Sequence, residues 1–306
     1  MKYPNSIRWA GLALVCAGAV LDAGFSPSAA AESNRPMVVA HRGGAALMPE
    51  NTFPAFDNAV RLGVDMLEFD MQMTGDNQLV ITHDGTINST FCAADPGSGL
   101  TPGPIRAMKL ADVLKFDCGS KHRGVYPTQK AVPGTPMPTP DALFARYKNT
   151  HALFFGETKM PGPNEGEVDP VAFTRLVAAS VHQYGLEDRF ILQSLDYRTL
   201  DAMHDLNPHI HTCLLSPWLA KIDYLQLARQ HHAMCMLLRL QDADATEVKR
   251  LRGAGVMVFS DVVDDEAGWR DYLARGVDAL FTNDPASLIA FLNRRPLGMP
   301  RTGSAR

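Results

Sequence analysis

The chain has 306 residues, 46% hydrophobic and 20% charged, enough to bury the core of one large α/β domain and too many for a small cross-linked scaffold. Its 29 Lys and Arg against 33 Asp and Glu give a formal charge of -4 with no dense basic tract, which excludes the electrostatic footprint of a nucleic-acid binder.

In chain order, Lys2 and Arg8 precede an apolar run over 9–21, and small residues ending in Ala29, Ala30 and Ala31 come before Glu32. This is the pattern of a cleaved signal peptide over 1–31, with mature protein starting near Glu32. The run is short for a membrane anchor and ends at Asp22, and no later stretch is apolar enough for stable insertion in a bilayer. Val15 is bulkier than the residue a lipoprotein site at Cys16 would want. Export, to the periplasm in the absence of a surface-anchor signal, makes disulfides chemically permitted. Cys92 and Cys118 share one loop-rich region and are the expected pair; Cys213 and Cys235 lie in apolar runs and read as buried unpaired thiols. No Cys-x-x-Cys occurs, which argues against a thiolate zinc site.

The rest of the chain repeats one phrase: an amphipathic helix, a glycine, then a short apolar run with a polar end. Phe56, Ala59 and Val60 fall at helical spacing before Gly63; Asp169 and Pro170 open another helix that Gly185 closes; Gly255 and Gly276 punctuate in the same way. Apolar runs predict strands over 37–40, 66–73, 79–83, 153–157, 190–193, 212–215, 234–238, 256–259 and 279–282. The cadence favours a (β/α)₈ TIM barrel over an open doubly wound sheet. Nine runs is one more than a barrel needs, so the second and third are expected to be one bent strand or a hairpin turning at Asp76 and Asn77. The rhythm stops over about 85–140, a Pro/Gly-rich stretch that reads as an inserted subdomain after the second strand. It is expected to hold a short helix over 110–116, to be stapled by Cys92 and Cys118, and to cap one end of the barrel. The barrel domain is placed at 32–295, with a disordered tail over 296–306.

Alternation along 66–73 sends Leu67, Phe69, Met71 and Met73 to one face and Glu68, Asp70 and Gln72 to the other. Paired carboxylates on an inner face are costly without a cation, and oxygen ligands suit one divalent ion, Ca²⁺ or Mg²⁺. The alternative, a solvated edge strand, is disfavoured because the apolar ladder demands a cover of helices. Glu157 and Lys159 share one face past the run at 153–157, the strand end where barrel sites form; Glu157 is a candidate third ligand and Lys159 a candidate phosphate contact. In isolation these two would read as a surface ion pair. His41 and His83 each follow a strand directly, which fits an acid and base pair acting on a phosphodiester. Arg42 offers a planar fork for phosphate oxygens, and Gly43 and Gly44 permit close backbone approach. His231 and His232 diverge on a helix and read as solvated, while His209 and His211 are a weak metal candidate. His-Glu-x-x-His, Walker, Gly-x-Ser-x-Gly and Gly-x-Gly-x-x-Gly motifs are absent.

The ordered set His41-Arg42-Gly43-Gly44, Pro49-Glu50-Asn51-Thr52, Glu68-Phe69-Asp70, His83-Asp84 and Glu157-Thr158-Lys159 resembles the glycerophosphodiester phosphodiesterase family. Thr282-Asn283-Asp284-Pro285 is similar to its last strand end. The resemblance implies a (β/α)₈ barrel, His41 and His83 as acid and base, and Glu68, Asp70 and Glu157 around one divalent cation. It also implies Arg42 and Lys159 on phosphate, and a small-molecule phosphodiester cut to glycerol 3-phosphate and an alcohol. The chain departs from the family at Phe259-Ser260, where members often carry tryptophan, and near Gln193-Ser194; both bear on the glycerol and headgroup contacts. A phospholipase D-like or phosphoinositide-cleaving barrel enzyme would need lipid access, for which no basic amphipathic stretch exists. A non-catalytic periplasmic binding protein would not need the complete acid/base and ligand set.

Overall fold

The protein is described by a computed structural model covering residues 35–217 and 222–294. The expected signal peptide over 1–31 and the tail over 296–306 lie outside the described residues. Eight parallel strands close on themselves in the order β1 (Met37–Ala40), β2 (Met66–Met73), β6 (Leu153–Thr158), β7 (Phe190–Ser194), β8 (His211–Leu215), β9 (Cys235–Leu238), β10 (Met257–Val262) and β11 (Ala279–Thr282). The ring is shut by β1 pairing with both β2 and β11. The ninth apolar run is β3 (Leu79–Ile81), antiparallel to β2 and outside the ring. Asn77 makes that hairpin turn at φ 56°.

Strand alternation separates two cores. Leu67, Phe69 and Met71 face outward into the layer shared with the helices. Met66 faces inward and joins Val39, Phe155, Ile191, Phe259 and Phe281 in the barrel interior. Phe155 lies 5.6 Å from Phe259 and 5.4 Å from Phe281 between ring centroids, so aromatic rings close the barrel floor. A Cβ at Gly156 would meet Met71 and Phe190 at 2.9 Å, which is why a strand interior tolerates glycine here. Above this floor the inward positions of β2, β6 and β7 turn polar: Glu68, Asp70, Glu157 and Gln193.

The reading of Cys213 and Cys235 as unpaired thiols is overturned. They sit directly opposite each other on β8 and β9, 4.6 Å apart at Cα, and form a disulfide in the barrel interior. Whether two cysteines 22 residues apart meet is a matter of strand register, which residue spacing does not disclose. The expected Cys92–Cys118 bridge is present, with a Cα separation of 4.0 Å. It ties together the insertion, in which β4 (Ala93–Ala94) and β5 (Phe116–Asp117) make a small ribbon over a core of Val80, Phe91, Ile105 and Val113. The helix expected over 110–116 is shorter, Leu110–Val113, because Phe116 is taken into that ribbon. The insertion lies over the β1 end of the barrel: Gln129 Nε2 donates to Ala45 O at 2.7 Å, and Arg123 pairs with Glu50.

Candidate active site

Directly after β1 the chain makes a tight turn through His41–Gly43 with three consecutive left-handed residues, Arg42 (φ 50°), Gly43 (79°) and Gly44 (97°). At Gly43 a Cβ would come within 2.8 Å of Ala55 Cβ, so only glycine fits both the dihedral and the space. The turn brings Arg42 N to 2.7 Å from Glu68 Oε2, while the guanidinium donates to Glu50 Oε1 at 2.9 Å and lies 3.4 Å from Asp70 Oδ2. A non-glycine residue held in this region is strained, and such strain collects at functional turns.

Glu68, Asp70 and Glu157 are all buried, with one carboxylate oxygen from each lying within 4.8 Å of the others. Burial, then Asp70 and Glu157, push the Glu68 carboxyl well above the ordinary range. Burial also raises Glu157, against the pull of Lys159. For Asp70 burial is outweighed by Lys159 and Arg42, which hold it below the ordinary range. Asp70 Oδ1 and Glu157 Oε1 accept no well-angled hydrogen bond and are met by the Lys159 ammonium as ion pairs at 3.3 and 2.6 Å. The Gln193 side chain donates to Glu68 Oε1 at 2.8 Å and leaves its own Oε1 buried without a partner. Three crowded buried carboxylates facing one another, with one lysine among them and the Gln193 oxygen unpartnered, are the donor set a hard divalent cation would satisfy, and its charge would hold all three ionised. Asn51, at φ 56° and ahead of helix Phe53–Leu62, keeps Asp70 in place: its Nδ2 donates to Asp70 Oδ2 at 2.8 Å and its Oδ1 accepts from Asp70 N at 3.3 Å.

The two histidines are held by unlike partners. His41 Nδ1 is 2.7 Å from Asn283 Oδ1. The orientation of that amide follows from Asp264, an obligate acceptor: it takes Asn283 Nδ2 and Asn283 N, both at 2.7 Å, and Thr282 Oγ1 at 2.9 Å. Asn283 therefore presents its oxygen to His41, whose Nδ1 must carry the proton. Consistently, Arg42 Nε donates to His41 Nε2 at 3.3 Å. Burial and the Arg42 charge lower the His41 pKa to about 4. His83 Nδ1 instead contacts the Asp84 carboxylate at 2.7 Å, and the bond from His83 leads the causes that bring Asp84 down to about 2. Asn88 secures the other Asp84 oxygen at 2.8 Å, and the His83 carbonyl accepts from Gln72 at 2.9 Å.

His41, His83, Arg42, Lys159, Glu68 and Glu157 line one cavity of about 310 Å³ at the carboxyl ends of the strands. The site expected from sequence is therefore assembled in one place. Asn283, Asp264 and Gln193 were not anticipated as working residues; Asn283 lies in the last motif, but nothing marks Asp264, 19 residues earlier, as its partner. The remaining histidines stay apart from the site. His231 is not solvated as expected: it is buried and its Nδ1 lies 2.7 Å from Asp201, because it ends helix Tyr224–Gln230 facing the neighbouring helix Tyr197–Leu206. His232 is exposed and stacks on His204 at 4.0 Å.

The profile of the glycerophosphoryl diester phosphodiesterase family matches residues 41–287, a span that holds all these groups. The chain belongs to that family. A glycerophosphodiester phosphodiesterase of Bacillus subtilis is 28% identical over 275 residues, covering 84% of this chain and 88% of its own. One from Caldanaerobacter subterraneus is 26% identical over 85% of this chain and 99% of its own. Among solved structures, a Silicibacter pomeroyi protein superposes with a TM-score of 0.77 at 24% identity, covering 84% of this chain and 93% of that one. An Oleispira antarctica phosphodiesterase, solved with the product sn-glycerol-3-phosphate, gives 0.71 at 21% identity, over 84% and 97%. The structural likenesses establish the barrel as the fold this family shares.

Proposed function

We propose that the protein hydrolyses glycerophosphodiesters to glycerol 3-phosphate and an alcohol, with His41 as the base that starts the reaction and His83 as the acid. The observation that carries this reading is the unlike support of two imidazoles lining one pocket: the amide of Asn283 leaves His41 Nε2 free of a proton, whereas His83 Nδ1 meets the Asp84 carboxylate. His41 Nε2 takes the proton of the glycerol 2-hydroxyl, and that oxygen attacks phosphorus. The bond from phosphorus to the alcohol oxygen breaks as His83 delivers its proton there. His83, now neutral, then takes a proton from water; the hydroxyl adds to the cyclic phosphate, the ring bond to O2 breaks, and His41 returns its proton to O2. Arg42 and Lys159 hold the anionic oxygens. Glu68, Asp70 and Glu157 would hold one Ca²⁺ or Mg²⁺, which when bound supplies Lewis-acid stabilisation of phosphoryl charge.

Release of glycerol 3-phosphate from glycerophosphocholine by metal-stripped protein tests the reading, with Ca²⁺ or Mg²⁺ restored and His41→Ala as control. Metal-restored release that depends on His41 supports it; no release from folded protein with either ion refutes it. Export to the periplasm is proposed with it, supported by the signal-like N-terminus and by two disulfides, which suit an oxidising compartment.

A further inference from the structure

The far wall of the pocket, at the ends of β7 to β10, differs from the wall that carries the reaction. It is lined by Leu195, Leu215, Leu237 and Val262, with Asp261 and Arg239 among them. Leu195 is 53% exposed and Val262 36%, two of the six exposed large hydrophobic residues among the described ones. Aliphatic side chains left open at the mouth of a polar site mark a place for carbon, not for glycerol hydroxyls.

Asp261 and Val262 are chain neighbours, so regular strand alternation would turn one of them away. Both line the pocket because β10 bulges: Phe259 pairs with Ala279, but Val262 instead of Asp261 pairs with Phe281. The bulge is stitched in place. Ser260 Oγ accepts from Phe281 N at 2.9 Å, Val263 N donates to Phe281 O at 3.0 Å, and Asp261 N donates to the Tyr272 hydroxyl at 3.3 Å. The Asp261 carboxylate is exposed and accepts from Val262 N at 2.7 Å, with no ion pair to any described residue. Arg239, on the same wall, pairs with Asp242 at 2.5 Å and makes no ion pair with Asp261.

We propose that Asp261, Leu195 and Val262 form a subsite for the departing alcohol that favours cationic amino-alcohol esters over neutral ones. With phosphate held by Arg42 and Lys159, the alcohol of a diester spanning the pocket meets one uncompensated carboxylate between aliphatic surfaces. A positively charged nitrogen carrying methyl or methylene groups complements both features; a neutral polyol complements neither. The inference rests on the diesterase reading above.

The test compares kcat/KM for glycerophosphocholine, glycerophosphoethanolamine and glycerophosphoglycerol in the parent, Asp261→Asn and Asp261→Lys, at low and high salt. The parent is expected to favour the choline ester over the glycerol ester roughly fivefold, a preference that shrinks with added salt. Asp261→Asn brings the ratio near one and Asp261→Lys inverts it. Equal kcat/KM for all three esters in the parent, or a ratio that neither variant moves, overturns the subsite while leaving the reaction standing. A parent that cleaves none of the three overturns the reaction and the subsite with it.

Discussion

Replacing Asp264 with Asn should slow the reaction without touching substrate. Asp264 is acceptor-only and receives three hydrogen bonds, two of them from Asn283 at 2.7 Å. An amide at 264 can offer its own NH₂ to Asn283, allowing the Asn283 amide to flip and present nitrogen to His41. His41 Nδ1 would then accept, and the proton would move to Nε2, the atom that has to be bare. The preference lost is about one hydrogen bond to a charged partner, roughly 1.5–3 kcal/mol. Losing that preference leaves the two tautomers near parity, so the base-competent form, and with it kcat, falls by about twofold while the Nε2-protonated form rises from under about a tenth to about half. KM should change by less than about twofold, because Arg42 and Lys159 are untouched. Steady-state release of glycerol 3-phosphate measures both constants, and ¹⁵N resonances of the His41 ring report the tautomer directly. A folded Asp264→Asn protein whose His41 Nε2 stays as fully unprotonated as in the parent would refute the reasoning.

Three other outcomes are expected. His83→Ala should cost about a hundredfold or more with the choline ester but little with a p-nitrophenyl ester, whose leaving group needs no proton; His41→Ala should be slow on both. Equal losses of the two variants on both esters would remove the division of roles. Replacing Cys213 and Cys235 together by Ala frees a 22-residue separation, a loss of about 3.4 kcal/mol by the chain-entropy relation and a melting point lower by roughly 10 °C; a double variant melting within about 2 °C of the parent contradicts it. Asp117 receives bonds from Gly119 N, Ser120, Gly134 N and Thr135 N, which overcome burial and lower its carboxyl from 3.8 to about 2. A depressed carboxyl stabilises the fold fully above its unfolded pKa, and the gain disappears as pH falls from about 4 through 2. Solvent screening limits it to about 1 kcal/mol. Proteolysis of the insertion, measured from pH 6 to 2, should show that dependence in the parent and not in Asp117→Asn.

The sequence was most legible where a residue acts through its own strand. Alternation in 66–73 is enough to put Glu68 and Asp70 inside, since the helices must cover Leu67 and Phe69. His41 and His83 are legible as strand-end residues for the same reason. What could not be read depends on register or on distance along the chain. The Cys213–Cys235 bridge requires knowing which residues of β8 and β9 stand opposite, and the hold of Asp264 on Asn283 requires knowing that β10 and β11 are neighbours. The bulge that brings Val262 to the pocket beside Asp261 is likewise invisible, because it is a one-residue slip between strands and leaves the apolar pattern of 256–259 intact.

The extra strand β3 explains why two histidines in similar sequence settings have unlike surroundings. His41 follows a barrel strand, so its ring stays at the wall, half-buried beside Arg42 and supported by a neutral amide. Had the second histidine ended β2 itself, it would share that cation-flanked environment. The chain instead reverses through the Asn77 turn, and His83 emerges past β3 with its side chain 34% exposed and a carboxylate next in sequence. Its Nδ1 meets the Asp84 carboxylate, where the His41 ring meets a neutral amide. The hairpin is thus the structural source of the difference between the surroundings of the two imidazoles, on which the proposed division into base and acid rests.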